Sequence, residues 1–158
     1  ISRISKLVVD KLFGTVNGKK IVILGFAFKA NTNDTRESSA ISICKDLLEE
    51  GAFLQIHDPK VESNQIAFDL NLELNNRNSQ LEEGVWVYSE TINGVFEDAD
   101  AVLILTEWSE YSLIKWKSIA PKMRKPSWIF DARSVINPEN LEGTDLHLWR
   151  IGDGSLSN

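Results

Sequence analysis

Six short apolar runs set the strongest limit on the fold of this chain. Each has Gly, Pro or Asp at one or both ends, and they lie at residues 20–24, 53–57, 85–88, 101–105, 128–130 and 146–151. Residues 101–105 are nearly all aliphatic, which is typical of a strand that is buried on both faces. Helical patterns alternate with the runs, so the sequence predicts βαβ units around a mainly parallel sheet. We therefore expect an α/β, three-layer, Rossmann-like domain.

Helical periodicity and capping signals predict the structure between the strands. The clearest helix follows Asp34, which can cap it while Glu37 reaches back from the third helical position. The same periodicity predicts further helices over residues 1–13, 91–96 and 112–123. Residues 61–83 are polar and rich in Asn and Glu, and their pattern does not decide between extended and irregular structure.

Composition narrows the class of protein. With 158 residues, 42% of them hydrophobic, the chain is long enough to fill one core. A formal net charge of −6 argues against binding to nucleic acid or to an acidic membrane surface. The chain has one cysteine, no apolar run of the roughly 18 residues that a membrane span needs, and no cleavable signal at its start. These features predict a cytoplasmic protein.

The segment KKIVILGFAFKANTNDTRESS at residues 19–39 is the first candidate for a binding site. Gly25 ends the apolar run, Lys29 follows four residues later, and Arg36 is expected in the first turn of the next helix. Ligands of open α/β sheets bind beyond the carboxyl ends of the strands, where helix N-termini favour anions. The segment is neither a GxGxxG turn nor a P-loop, yet its two cations predict a phosphate site.

Polar residues follow two more of the predicted strands and reinforce this prediction. Thr106 and Glu107 come after residues 101–105, and Asp131 and Arg133 come after residues 128–130. Parallel strands share one carboxyl edge, so these side chains and Lys29 are expected on the same rim. The alternatives are that the cations are ordinary solvated charges and that Asp131 only orders the following turn.

Other reactive residue types are better explained by structure than by chemistry. Cys44 lies on the apolar stripe of its helix, which indicates core packing. Asp58 can either hold a ribose, as the acidic residue after a second strand does in dinucleotide-binding folds, or order the turn before Pro59, and the missing glycine fingerprint favours the turn. The isolated His57 and His147 argue against a metal site.

Four blocks, GFAFKANTNDTRESSAI, IHDPKV, ILTEW and IFDARSVI, occur in this order. Together they resemble the C-terminal UDP-binding domain of the UDP-glucose/GDP-mannose dehydrogenase family, in its UDP-glucose 6-dehydrogenase branch. The resemblance implies that Phe28 and Lys29 contact the nucleotide sugar, that Arg133 binds UDP, and that Arg36 reaches the pyrophosphate of NAD across a domain interface. Ala132 stands where the family usually has Gly, which puts a special backbone conformation there in question.

The resemblance also implies a division of labour within a longer protein. Residues 1–14 would end a long helix that connects two halves and supports a dimer, and residues 15–158 would form the C-terminal UDP-sugar-binding domain. The family oxidises UDP-glucose to UDP-glucuronate with NAD on a cysteine of the N-terminal half, so no catalytic residue is expected here and the chain alone is expected to be inactive. The chain begins with Ile rather than Met, which fits a fragment.

Expected partners are therefore the nucleotide sugars, the N-terminal domain and further copies of the same protein. Two other hypotheses stay open at this point. One is the corresponding domain of a dehydrogenase for another nucleotide sugar, and the other is a non-catalytic module for nucleotide binding or oligomerisation.

Overall fold

The structure is a computed structural model, and it describes residues 1–71 and 84–153. Its strands are β1 (Lys20–Leu24), β2 (Phe53–His57), β3 (Val85–Ser89), β4 (Ala101–Ile104), β5 (Trp128–Asp131) and β6 (His147–Arg150). They form one sheet in the order β3-β2-β1-β4-β5-β6, in which every neighbouring pair is parallel. The predicted parallel α/β fold is therefore confirmed.

Helices flank this sheet and connect its strands. Their bounds are α1 (Arg3–Lys11), α2 (Ser39–Glu49), α3 (Ser63–Leu70) and α4 (Trp116–Ile119), with 3-10 turns at Ser109–Leu113, Ala120–Lys122 and Pro138–Leu141. Helix α3 occupies part of the segment whose structure the sequence left open, and the rest of that segment lies outside the described residues. Across residues 1–71 and 84–153, no helix has both the length and the apolar character needed to cross a membrane.

Of two further predicted helices, one is wrong and the other is only partly correct. Residues 91–96 form bends and turns rather than a helix. The helix predicted over 112–123 is divided, because Ile114 takes an extended backbone with ψ 132 between the 3-10 turn and α4. The buried side chains of Tyr111 and Trp116 anchor the two pieces separately in the core, which outweighs the helical periodicity of the sequence.

The start of α2 also differs from the prediction. Its N-cap is Ser38, whose Oγ accepts the Ala40 N–H at 3.2 Å, and not Asp34. Glu37 has φ +61, so the chain turns sharply just before the helix begins. Arg36 consequently lies in the loop before α2 and not in its first turn.

The topology determines where a ligand site can form. From β1 the chain adds β2 and β3 on one side, and it then crosses back to add β4, β5 and β6 on the other. All residues of β1 and β4 are buried, so these two strands form the centre of the sheet. The order therefore reverses between β1 and β4, and the crevice beyond their carboxyl ends is where open α/β sheets bind ligands.

Candidate functional site

The loops after β1 and β4 meet at Gly25. This residue has φ +99, and a Cβ on it would lie 2.4 Å from the Cβ of Thr106 and 2.6 Å from the Thr106 backbone nitrogen. Real carbon atoms do not approach that closely, so only glycine fits. The glycine that ends the first apolar run in the sequence is thus the contact between the two central loops.

The loop that follows Gly25 has every backbone N–H engaged from residue 26 to residue 28. The N–H groups of Phe26 and Ala27 both donate to Oδ2 of Asp58, at 2.8 and 2.9 Å. The N–H of Phe28 donates to the carbonyl of Asp34 at 2.8 Å, which closes the loop on itself. A buried carboxylate at the end of β2 therefore holds the backbone of the β1 loop.

The carbonyls of the same three loop residues are engaged as well. Ser38 Oγ donates to the carbonyl of Phe26 at 2.8 Å. The carbonyl of Ala27 accepts from Thr106 Oγ1, and that of Phe28 accepts from Arg133 Nη2, both also at 2.8 Å. These donors come from the start of α2, the loop after β4 and the loop after β5. The β1 loop is consequently a rigid platform between neighbouring elements.

Arg133 connects three strand ends. Besides its bond to the Phe28 carbonyl, its Nε donates to the carbonyl of Leu105 at 3.0 Å, and its Nη1 lies 3.4 Å from the Glu107 carboxylate. Its side chain remains 32% exposed. Arg133 joins the loops after β1, β4 and β5 and still offers N–H donors to an anion.

Asp131 holds the backbone of the turn that carries Arg133. It is fully buried, and its two carboxylate oxygens accept the N–H groups of Arg133 at 3.1 Å and Ile136 at 2.7 Å. The alternative that Asp131 orders the turn after its strand is therefore confirmed. Positive φ in this turn falls on Ser134, with φ 58, and not on Ala132, so the alanine in place of the family glycine needs no special backbone conformation.

Phe28 and Lys29 are the exposed side chains of the platform. Phe28 has 39% of its surface exposed, although the three residues before it are buried, and the Lys29 ammonium lies 5.8 Å from the centre of its ring. That contact is a cation–π interaction. The loops after β1, β4 and β5 do meet at the carboxyl edge, because Arg133 binds the Phe28 carbonyl and pairs with Glu107. Asp131, which was expected on the same rim, is instead buried.

Arg36 takes a different position. Its side chain is 88% exposed and pairs with Asp34, through Nε at 3.0 Å and Nη2 at 2.8 Å. The hydrogen bonds from Arg36 lower the pKa of Asp34 to about 2. The partner of the Arg36 guanidinium is thus Asp34, whereas the Arg133 guanidinium binds carbonyls of the loops after β1 and β4.

The remaining candidates are structural. Cys44 is completely buried, and burial raises the pKa of its thiol, which confirms core packing. His57 is buried with its Nδ1 2.9 Å from the Tyr111 hydroxyl, and His147 stacks on Trp128 at 4.9 Å between ring centres. No cluster of three potential metal ligands occurs among residues 1–71 and 84–153.

Asp58 has a larger structural role than the sequence predicted. Its Oδ1 accepts the N–H groups of Lys60 and Val61, at 2.8 and 3.0 Å, so the turn interpretation is confirmed. Its other oxygen accepts the two loop N–H groups described above and the indole N–H of Trp108 at 3.1 Å. The position of Asp58 after the second strand made it a candidate site residue. No sequence signal indicated that donors from distant loops would bind it.

A parallel sheet in this order, with cations beyond its switch point, defines the class of protein as a Rossmann-like α/β domain of the nucleotide-binding type. The model of the UDP-glucose/GDP-mannose dehydrogenase family, UDP binding domain, matches residues 22–138. The chain therefore belongs to this family and contains its UDP-binding domain.

Relatives with known names support this membership. The chain is 42% identical over 151 residues to UDP-glucose 6-dehydrogenase of Drosophila melanogaster, covering 95% of this chain and 32% of that protein. It is 44% identical over 150 residues to UDP-glucose 6-dehydrogenase of Bos taurus, covering 95% of this chain and 29% of that protein. The chain thus spans about a third of the length of the curated relatives it matches.

Solved structures give the same picture of the fold. A UDP-glucose dehydrogenase from Pyrobaculum islandicum matches with a TM-score of 0.62 and 26% identity, over 84% of this chain and 26% of that one. An NDP-N-acetyl-D-galactosaminuronic acid dehydrogenase from Methanosarcina mazei Go1 matches with a TM-score of 0.68 and 24% identity, over 92% and 27% respectively. The second match concerns the fold alone.

Proposed function

We propose that the chain is the UDP-binding part of an NAD-dependent UDP-glucose 6-dehydrogenase, which converts UDP-glucose to UDP-glucuronate. The observation that carries this proposal is the position of Arg133, which is held between three strand ends beside the exposed pair Phe28 and Lys29. The identities of 42% and 44% to proteins named UDP-glucose 6-dehydrogenase favour this sugar.

The three residues have complementary roles in the proposed site. Arg133 presents N–H donors that match the oxygens of a diphosphate, and its bonds to two carbonyls orient the guanidinium in advance. Lys29 adds a compact positive charge, and Phe28 supplies an apolar wall next to it. Glu107 lies against Arg133, so a bound diphosphate competes with a carboxylate that already partly neutralises the guanidinium.

Arg36 is proposed to bind the NAD pyrophosphate at an interface with the N-terminal domain. Its high exposure supports this role, and Asp34 occupies only the Nε and Nη2 groups of its guanidinium. NAD, when bound, would accept the hydride that the reaction releases. The residues of this chain then contribute binding and orientation.

We further propose that residues 1–14 end the helix that connects the two halves, and that residues 15–158 form the UDP-sugar-binding domain. Helix α1 packs on α2, where Asp46 accepts the Ser2 N–H and the Ser5 hydroxyl, each at 2.8 Å. These contacts hold α1 in a fixed position on the domain, which supports its proposed role as the end of a connecting helix. Assembly into an oligomer, a cytoplasmic location and the need for the N-terminal domain in catalysis are part of the same proposal.

Calorimetric titration with UDP at low salt tests the proposed site. We expect Lys29→Ala and Arg133→Ala each to weaken UDP binding by about tenfold or more, because each removes a charge-assisted contact. Lys45→Ala is the matched control, since Lys45 is an exposed lysine on α2. Unchanged UDP affinity in both site variants would refute the assignment.

A second experiment tests the division of labour. The 158-residue chain is mixed with UDP-glucose and NAD, and NADH is followed by its absorbance. We expect no turnover, because the proposed catalytic cysteine belongs to the N-terminal half. Formation of NADH by this chain would contradict the proposal.

A further inference from the structure

Asp58 is the most heavily hydrogen-bonded carboxylate among the described residues. It is 1% exposed, and five N–H groups donate to it. They come from the loops after β1, β2 and β4, and all five are neutral groups. The carboxylate is thus a single anchor for three loops at the switch point of the sheet.

We propose that Asp58 is a positioning residue for UDP binding, a role that rests on the proposed function above. It holds the loop backbone at Phe26 and Ala27, and the residues that follow directly are the proposed ligand contacts Phe28 and Lys29. Through the indole of Trp108 it also fixes the loop that carries Glu107, the partner of Arg133. Asp58 does not touch the ligand in this proposal, because both of its oxygens are occupied by the protein.

The two oxygens divide the donors in a way that explains why an acid is needed. Oδ2 receives Phe26, Ala27 and Trp108, and Oδ1 receives Lys60 and Val61. An asparagine has only one acceptor oxygen, and its amide would oppose N–H donors with its own N–H groups on the other side. In the substitution Asp58→Asn, an amide oxygen at the Oδ2 position leaves the loop after β2 without its anchor, and one at the Oδ1 position leaves the loops after β1 and β4 without theirs. A neutral amide oxygen also accepts the remaining hydrogen bonds more weakly than a carboxylate does.

Rigidity before binding is the benefit that this arrangement provides. The backbone of residues 26–28 is fully hydrogen-bonded while the side chains of Phe28 and Lys29 are exposed. A preformed loop does not need to be ordered when the ligand arrives, so less affinity is lost to conformational entropy. Loss of the anchor should appear as weaker binding beyond any loss of stability.

The test compares Asp58→Asn with Asp100→Asn in the full-length protein that carries this chain. Asp100 accepts the Lys20 N–H at 2.9 Å at the amino edge of the same sheet, so it is a carboxylate anchor away from the proposed site. UDP affinity is measured by calorimetry, stability by thermal unfolding, and loop order by hydrogen–deuterium exchange of a peptide that contains residues 25–29.

We expect Asp58→Asn to weaken UDP binding by about tenfold or more and to accelerate exchange at Phe26 and Ala27. Asp100→Asn is expected to keep UDP affinity within about twofold of the wild type, even where its melting temperature falls equally. A purely structural role predicts the same UDP affinity for both variants at matched loss of stability, and that result would overturn the inference.

Two further results separate this inference from the proposed function. If Arg133→Ala abolishes UDP binding while Asp58→Asn leaves it intact, the site stands and the positioning role fails. If the wild type does not bind UDP, both fail. Should Asp58→Asn not fold, exchange in the wild type decides: slow exchange at Phe26 and Ala27 without UDP supports the inference, and protection that arises only with UDP overturns it.

Discussion

Replacement of Gly25 by alanine tests the close approach of the two central loops. The new Cβ would lie 2.4 Å from the Thr106 side chain and 2.6 Å from its backbone nitrogen, and the backbone would have to keep φ +99. A non-glycine residue in such a conformation costs about 1–3 kcal/mol. Displacement of a packed backbone segment costs about 1–3 kcal/mol more.

The expected loss is therefore about 2–6 kcal/mol of the free energy of unfolding. Domains are usually stable by about 5–15 kcal/mol, so the variant should still fold but unfold at clearly lower urea concentration. UDP binding should weaken as well, because Thr106, which must move, donates to the Ala27 carbonyl in the proposed binding loop. Urea unfolding followed by circular dichroism measures the first effect, and calorimetry measures the second.

Gly94→Ala is the matched control. Gly94 also has positive φ, at +75, but a Cβ there would meet nothing within 4 Å. That variant should show the conformational cost, about 1–2 kcal/mol, without the steric part and without an effect on UDP. Equal destabilisation by the two substitutions would show that the loops do not approach each other as described, and the explanation for Gly25 would be refuted.

Three predictions follow from titratable and reactive groups. Burial lowers the pKa of His57 below its ordinary 6.5, so the unfolded chain binds a proton more readily than the folded one. The free energy of unfolding should therefore fall as pH drops below 6.5. Urea unfolding at several pH values should show a weaker pH dependence for His57→Gln. The ionised Asp34 stabilises the fold above its ordinary pKa of 3.8, and this effect is lost as pH falls toward about 2. In an NMR titration, Arg36→Ala should raise the pKa of Asp34 toward 3.8. An unchanged pKa would exclude the ion pair. The Cys44 thiol should resist a thiol reagent in the native chain and react in urea, and rapid native labelling would contradict its burial.

The strands were the most predictable part of the fold. β1 and β2 have the bounds expected from the sequence, because a run of apolar residues with a turn residue next to it is a local signal. The helix predictions were less accurate, since periodicity does not reveal where a chain must bend to bury Tyr111 and Trp116 in separate places. The cap of α2 was misassigned to Asp34 because that loop residue is equally suitable as a cap in sequence.

The sequence by itself determined the parallel α/β class, the rim that carries Lys29, Thr106 and Arg133, and the family, because these depend on local patterns and on the shared edge of parallel strands. Only the tertiary structure decided which groups meet there. It showed that Arg36 pairs with Asp34 while Arg133 binds loop carbonyls, and that Asp58 receives donors from three loops. Hydrogen bonds between loops distant in sequence depend on the assembled sheet, and for this reason no pattern along the chain contains them.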